Sequence, residues 1–286
     1  MIIVLKRYSN FPKFDIWSAL LNTSSTTLPI FILSIYFDST ILGYYSLAFM
    51  VSTLPLGLIG NAIGQVFFQK AAEAKNISQT KLTETVEKTI KPLIFLSLFP
   101  TIVLALIGPV LFGVIFGNGW QESGTYVRYL SFWICVVFIS APFSTLIIIF
   151  QKQKINLFFN IIDLLGRSIA LMIGAISGNA LIAIILFSIA GFIVNLIPFI
   201  YVLKLSDVSL LKIARIFLRY FFLSIPFIII ILFIQYIVSI NNIGLVIFSF
   251  CLILVYYYLG IKSDKELIGS LNEIISHIPI IKKFLN

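Results

Sequence analysis

The sequence predicts an all-α membrane protein, a polytopic bundle of about eight transmembrane helices. Hydrophobic residues make up 60% of the 286 residues and charged residues only 11%, whereas a soluble domain is roughly 45–50% apolar and about 25% charged. No globular core hides that much apolar surface, so lipid must be its solvent. The apolar residues also form long runs, and nearly all of the basic residues lie in alternate connections between them.

Eight apolar runs are close to the roughly 20 residues that a spanning helix needs. The predicted spans are 16–36, 42–67, 93–116, 125–150, 157–177, 180–203, 220–239 and 243–261. The connections between them alternate between a short uncharged or acidic kind and a longer basic kind. The basic kind comprises 1–15, 68–92, 151–156, 204–219 and the tail from Lys262, and it holds 18 of the 20 Lys and Arg residues.

The charge distribution predicts the orientation of the chain. Short loops rich in Lys and Arg remain in the cytoplasm, which places both termini there. The net charge of +9 is therefore a topological feature, and no nucleic acid partner is expected. Membrane lipid is the expected surrounding.

Three of the basic segments have amphipathic patterns. In 81–91, Leu82, Val86 and Ile90 repeat every four residues before Pro92, which predicts a separate surface helix that ends at the proline. The segments 207–219 and 262–286 show similar patterns. Anchoring to anionic lipid and capture of an anionic headgroup both explain them.

The sequence contains no motif for covalent chemistry. Cys135 and Cys251 lie in apolar runs, His277 is alone in the tail, and there is no Gly-rich phosphate loop. No cofactor, metal site or enzymatic activity is predicted. The short outer connections carry only Asp38 and Glu122, whereas a glycan polymerase or transferase needs a sizeable loop with convergent catalytic groups.

The fifth span contains two charged residues at mid-membrane. Asn160, Asp163 and Arg167 lie on one helical face, and the i,i+4 spacing of Asp163 and Arg167 allows an ion pair. Each charge costs at least about 2.5–3.5 kcal/mol at this depth. Such a pair should face the bundle interior and mark a substrate or ion pathway. The alternative is a structural pair that fixes helix packing.

Polar residues in other spans are further candidates for the pathway. Asn22 begins a run of six polar residues that ends at Thr27, and its hydroxyls either face protein or bond to their own helix. Asn61 lies next to Gly60, which forms a GxxxG spacing with Gly64 suited to close packing. Asn61 either lines a path or bonds to a neighbouring helix. Arg128 lies near the outer surface, where it can snorkel.

Several short motifs are distributed along the first two thirds of the chain. They are Phe11-Pro12, Leu20-Leu-Asn22, Leu28-Pro29, Gly43-Tyr-Tyr-Ser-Leu-Ala48, Leu54-Pro55, Leu58-Ile-Gly60, Gln65-Val-Phe-Phe-Gln69-Lys-Ala-Ala-Glu73, Phe116-Gly-Asn-Gly-Trp120, Ala141-Pro142 and Gln151-Lys-Gln-Lys154. With these motifs the sequence resembles bacterial polysaccharide flippases of the multidrug/oligosaccharidyl-lipid/polysaccharide exporter superfamily. The resemblance extends over about residues 4–203 and is most specific in the first 75.

This resemblance implies a translocase of the bacterial cytoplasmic (inner) membrane. Members carry an undecaprenyl-pyrophosphate-linked oligosaccharide, as in O-antigen and lipopolysaccharide synthesis, to the outer leaflet by alternating access. Charged positions in the bundle line the substrate path, which suits Arg167 to an anionic group and Asp163 to holding the arginine or a coupling ion. Alternatives are a small-solute or drug exporter of the same superfamily, a membrane glycan polymerase or transferase, and a non-functional remnant.

The resemblance also implies a domain plan. Its members have two six-helix bundles and sometimes two extra helices, and the eight spans match the second bundle plus the extra pair. The expected divisions are a cytoplasmic segment 1–15, a six-helix bundle 16–203, two additional helices with a preceding amphipathic segment 204–261, and an amphipathic tail 262–286. The first bundle is absent from this plan, so the chain is expected to be partial. The missing N-terminal half or a second copy is then an expected partner.

Overall fold

A computed structural model describes residues 10–238, 240–264 and 266–269, with the side chains of 10–13, 15, 58, 59 and 61 left out. Over this part the chain is helical throughout, which confirms the predicted fold class. Its α-helices are α1 Asn10–Tyr36, α2 Ser39–Pro55, α3 Asn61–Ile77, α4 Gln79–Phe116, α5 Gln121–Ser140, α6 Thr145–Ile149, α7 Gln153–Ile176, α8 Ala180–Leu205, α9 Leu210–Phe233 and α10 Asn242–Ser263. The ends of the predicted terminal segments 1–15 and 262–286, with His277, lie outside the described residues.

Seven helical segments of the described chain are long and apolar enough to cross a membrane. They are Ile16–Tyr36, Gln79–Phe116, Asn118–Ile149, Gln153–Ile176, Ala180–Leu205, Leu210–Val238 and Asn242–Ser263. They correspond to seven of the eight predicted spans. The chain is thus a multi-pass helical bundle by the length and composition of its helices.

The predicted span 42–67 has a different structure. It is divided between α2 and α3, which have 17 residues each, by a π-helical segment at Leu56–Gly60. Pro55 ends α2, because its ring prevents the regular hydrogen bond to the preceding turn. The wider π-helical segment then carries the chain into α3, as such segments do at helix bends.

The predicted surface helix at 81–91 is wrong, because α4 is one helix of 38 residues that continues through Pro92. Its length is about 57 Å at 1.5 Å per residue, which exceeds the roughly 30 Å hydrocarbon core. Its first turns therefore extend beyond the membrane on the side of the basic connections, called the basic side below. Leu82, Val86 and Ile90 are fully buried in protein and do not face lipid.

Other protein segments cover the first turns of α4. Leu82 and Val86 belong to a buried cluster that also contains Phe67 of α3 and Val208. The Thr83 hydroxyl donates to the carbonyl of Ser206, at 2.6 Å, in the connection between α8 and α9. The segment 207–219 is likewise no separate surface helix, because most of it forms the start of α9.

The end of α10 is attached to α4 and α9 by charged groups. Lys91 Nζ lies 2.9 Å from the Asp264 carboxylate, and Arg219 Nη1 lies 3.0 Å from it. Burial disfavours the charged form of Asp264, but the hydrogen bond and charge of Lys91 outweigh it and lower the pKa of this carboxyl. The attachment is therefore strongest above the usual carboxylate pKa and weakens on acidification.

A proline in α4 creates a second attachment for α10. Pro100 has no N–H to donate to the carbonyl of Leu96, four residues earlier. The Tyr257 hydroxyl of α10 donates to that carbonyl oxygen at 2.7 Å. The side chain thus replaces the backbone donor that the proline removes.

We expect Tyr257→Phe to destabilise the protein by about 1–3 kcal/mol, because it leaves the Leu96 carbonyl without a donor. Pro100→Ala restores a backbone N–H, so the same change in that background should cost much less. Thermal unfolding of the four proteins in one detergent gives both costs. An equal cost of Tyr257→Phe in the two backgrounds would contradict this explanation.

Candidate functional site

An ion pair lies at the centre of α7, midway along its length. Arg167 Nη1 donates to Asp163 Oδ2 at 3.0 Å. Asp163 is 9% exposed and Arg167 only 3%. The interaction predicted from the i,i+4 spacing is therefore present, and it is buried within the bundle.

Arg167 also binds α1, at a backbone carbonyl that a proline leaves without its usual donor. Pro29 has no N–H for the carbonyl of Ser25, four residues earlier. Arg167 Nη2 donates to this oxygen at 3.2 Å, and Nη1 donates to the Ser25 hydroxyl at 2.9 Å. The guanidinium thus satisfies an acceptor that the proline leaves free, and it joins α1 to α7.

Aromatic rings enclose the other side of the guanidinium. Its Cζ atom lies 4.4 Å from the ring centre of Trp133 and 4.7 Å from that of Phe187. These are cation–π distances, and such contacts are strongest where water is excluded. The rings come from α5 and α8, so Arg167 of α7 contacts three other helices of the bundle, α1, α5 and α8.

The two carboxylate oxygens of Asp163 have different surroundings. Oδ2 accepts from Arg167 and from the Ser25 hydroxyl. Oδ1 accepts from Asn195 Nδ2 of α8 at 3.2 Å, and the same Nδ2 donates to the carbonyl of Gly191 at 2.9 Å. Since Asn195 and Ser25 both fix the carboxylate, its orientation is set by α1 and α8 as well as by α7.

A cavity of about 500 Å³ lies beside Asp163. It runs from the middle of the bundle toward the basic side, between α1, α7, α8 and the end of α5. Its polar lining consists of Ser18, Asn22, Ser140, Ser144, Asn156, Asn160, Asp163 and Asn195. Phe159 and Phe199 contribute apolar walls. Asp163 is the only charged residue among the described side chains of this lining.

The structure brings together some of the predicted pathway residues. Asn22, Asn160 and Asp163 line the same cavity, whereas Arg167 lies behind Asp163 and outside the lining. Arg128 lies elsewhere on α5, where its Nη2 donates to the carbonyl of Leu106 at 3.2 Å. The side chain of Asn61 lies outside the described residues. Whether any of these residues forms a transport path remains a prediction.

The hydroxyls of α1 divide between the two alternatives that the sequence left open. Thr26 and Thr27 donate to the carbonyl of Thr23 in their own helix. Ser25 instead donates across to Asp163 of α7. The polar run thus contributes one hydroxyl to the charged site.

Asn195 is the main residue that the sequence analysis missed. It is an isolated amide in the 26-residue apolar helix α8, and a polar residue in such a run usually faces the bundle interior. That signal could have identified it. The contacts of Trp133 and Phe187 with Arg167 had no comparable signal, because aromatic residues are common throughout these spans.

No three His, Cys, Asp or Glu residues come together as metal ligands in the described part of the chain. The site consists of a buried ion pair and an amide-rich cavity. These groups can bind and orient a polar molecule through hydrogen bonds.

Residues 2–125 match a family model described as polysaccharide biosynthesis protein. The match covers less than half of the chain, from its start through α4 and into α5. Comparison with curated proteins found no match, and comparison with solved structures found none. The family match and the seven apolar helices fit a membrane protein of polysaccharide biosynthesis.

Proposed function

We propose that this protein is a translocase for lipid-linked oligosaccharide units, moving them from the cytoplasmic to the outer leaflet of a bacterial membrane. The observation that carries the proposal is a polar cavity within a multi-pass bundle whose first 125 residues resemble polysaccharide biosynthesis proteins. No bond is made or broken. The protein offers a polar route for a sugar group, which lipid cannot solvate.

The charge distribution supports a direction for the proposed movement. The Lys and Arg residues of the loops lie on the basic side, which the positive-inside rule assigns to the cytoplasm. The cavity extends toward this side. It is therefore placed to receive a substrate that is assembled in the cytoplasm, and alternating access would then expose it to the other side.

A second protein surface is part of the proposal. Asn22 of α1, Ser46 of α2 and Gln65 of α3 are exposed within the predicted spans, where lipid provides no hydrogen-bond partners. A six-helix bundle or a second copy of this chain would cover these polar side chains.

We expect Asn160→Leu to reduce export about tenfold while the protein still accumulates, because it removes one hydrogen-bonding group from the cavity. The measurement is surface polysaccharide in a host that lacks its own flippase, with the full chain and the six-helix N-terminal bundle of a complete flippase co-expressed. Asn242→Leu changes an exposed amide at the start of α10 and is the matched control.

Two outcomes of this assay discriminate between the partners. Rescue only with the added bundle supports the two-bundle arrangement, and rescue by the chain alone supports a second copy. Failure of rescue in both cases would contradict the proposed function, provided that the chain is inserted as expected. Insertion is checked in the same cells: a cysteine at Asn241 should react with an impermeant maleimide from outside, and one at Gln151 should not.

A further inference from the structure

The described side chains of the cavity present a carboxylate and no cation. Its polar lining contains four amides, at Asn22, Asn156, Asn160 and Asn195, three serine hydroxyls, and the Asp163 carboxylate. Among the described side chains, no Lys or Arg belongs to this lining. A diphosphate usually requires Arg, Lys or several converging N–H groups, so this lining is poorly suited to one.

Arg167 is directed away from the cavity. Its Nη1 and Nη2 atoms donate to Asp163 and Ser25, and its face lies against Trp133 and Phe187. An anion in the cavity therefore meets Asp163 first, with the positive group behind it. The ion pair acts as a dipole whose negative end faces the cavity, and this field opposes an anion.

Sugar hydroxyls match this lining chemically. Each hydroxyl donates one hydrogen bond and accepts others, while a carboxylate only accepts and an amide does both. Phe159 and Phe199 add apolar surface against which the C–H face of a sugar ring can pack. The volume of about 500 Å³ lies in the range of small-molecule sites, roughly 300–1,000 Å³.

We propose that the cavity binds an uncharged, hydroxyl-rich sugar through Asp163 and its amides, and that it excludes the diphosphate of the same molecule. This inference rests on the proposed translocase function and specifies which part of the substrate enters. The diphosphate then remains outside the cavity. A sugar unit with several carboxylates or phosphates is a poor substrate, because it would face Asp163 without a cation.

Arg167 and Ser25 are positioning residues in this proposal. Together with Asn195 they hold Asp163 in one orientation, with Oδ1 on the Asn195 side and Oδ2 committed to Arg167 and Ser25. An acceptor that is already fixed loses little conformational entropy when the sugar binds. The buried guanidinium balances the negative charge of the carboxylate within the bundle.

The charge preference of the cavity can be measured without knowing the substrate. A single cysteine at Asn160, one turn from Asp163, is introduced after Cys135→Ala and Cys251→Ala, and the full chain is placed in lipid nanodiscs. Cationic and anionic methanethiosulfonates of similar size are compared, with a cysteine at Asn241 as the solvent-exposed reference. We expect the cationic reagent to react about tenfold faster at Asn160 after this normalisation, which is about 1.4 kcal/mol of electrostatic preference.

Removal of the charge is the matched control. Asp163→Asn should abolish the preference. If this single variant does not fold, Asp163→Asn combined with Arg167→Gln takes its place and should also abolish the preference. A preference that survives in both variants, or faster reaction of the anionic reagent in the parent, would overturn the inference.

Protection by ligands tests the sugar directly. Maltose and N,N′-diacetylchitobiose are expected to slow reaction of the Asn160 cysteine with a neutral reagent severalfold, and inorganic pyrophosphate is not. Protection by pyrophosphate, or protection by none of these probes, would overturn the sugar preference and leave the translocase proposal standing. If the sugars protect the Asn160 cysteine but the parent chain fails to restore export in the complementation assay, the translocase proposal alone is overturned.

Discussion

Arg167→Ala should leave little folded protein in the membrane. The change leaves Asp163 charged and buried without its cation, at a cost of roughly 3–5 kcal/mol. It also removes the donor to the Ser25 carbonyl that Pro29 leaves free, which adds to the cost. The measurements are the abundance of the chain in membranes and its thermal unfolding in detergent.

A double substitution separates stability from transport. Asp163→Leu with Arg167→Met replaces the pair by apolar groups of similar size, and such replacements are often neutral or stabilising. We expect abundance to recover and export to remain lost, because the cavity no longer contains its carboxylate. Normal export by the double variant would show that the pair serves packing alone. Lys262→Met is the matched control, since Lys262 is exposed at the end of α10 and lies outside the cavity lining.

Hydropathy and charge predicted most of the fold because they report directly on the solvent of each segment. Seven of the eight spans appear among the described helices, with ends within several residues of the predicted ones for most of them. The failures occur where an apolar face packs against protein. A repeat such as Leu82, Val86 and Ile90 has the same spacing whether lipid or α3 covers it, so period alone misplaced 81–91 on the membrane surface.

The sequence predicted the ion pair of the site but not its partners from other helices. Asp163 and Arg167 share one helix, so their pairing follows from a local spacing. Ser25 and Asn195 reach them from α1 and α8, and a contact between distant segments has no local signal. The accessible side of the pair is likewise a tertiary property. The sequence suggested that Arg167 faces the substrate, whereas in the structure Asp163 lines the cavity and Arg167 lies behind it.

A close contact between two helix backbones also escaped the sequence analysis. The GxxxG spacing suggested close packing at Gly60 and Gly64, but a Cβ added to Gly64 would lie 3.9 Å from the Pro142 Cα atom, an ordinary contact. The backbones of α4 and α5 instead approach at Gly108 and Gly124. A Cβ on either of these glycines would overlap the carbonyl of the other.

Gly124→Ala is therefore expected to be among the most damaging small substitutions in the protein. The added methyl group meets backbone atoms of α4, which cannot move aside as a flexible side chain can, so α4 and α5 must separate along their contact. Overpacking of this kind costs typically 1–3 kcal/mol and sometimes more.

Gly119→Ala is the matched control, because a Cβ there meets open space, and surface changes of this kind usually stay within about 0.5 kcal/mol. The temperature of thermal unfolding and the abundance in the membrane should fall for Gly124→Ala and remain unchanged for Gly119→Ala. Equal stability of the two variants would show that α4 and α5 are not held together through the Gly108–Gly124 contact.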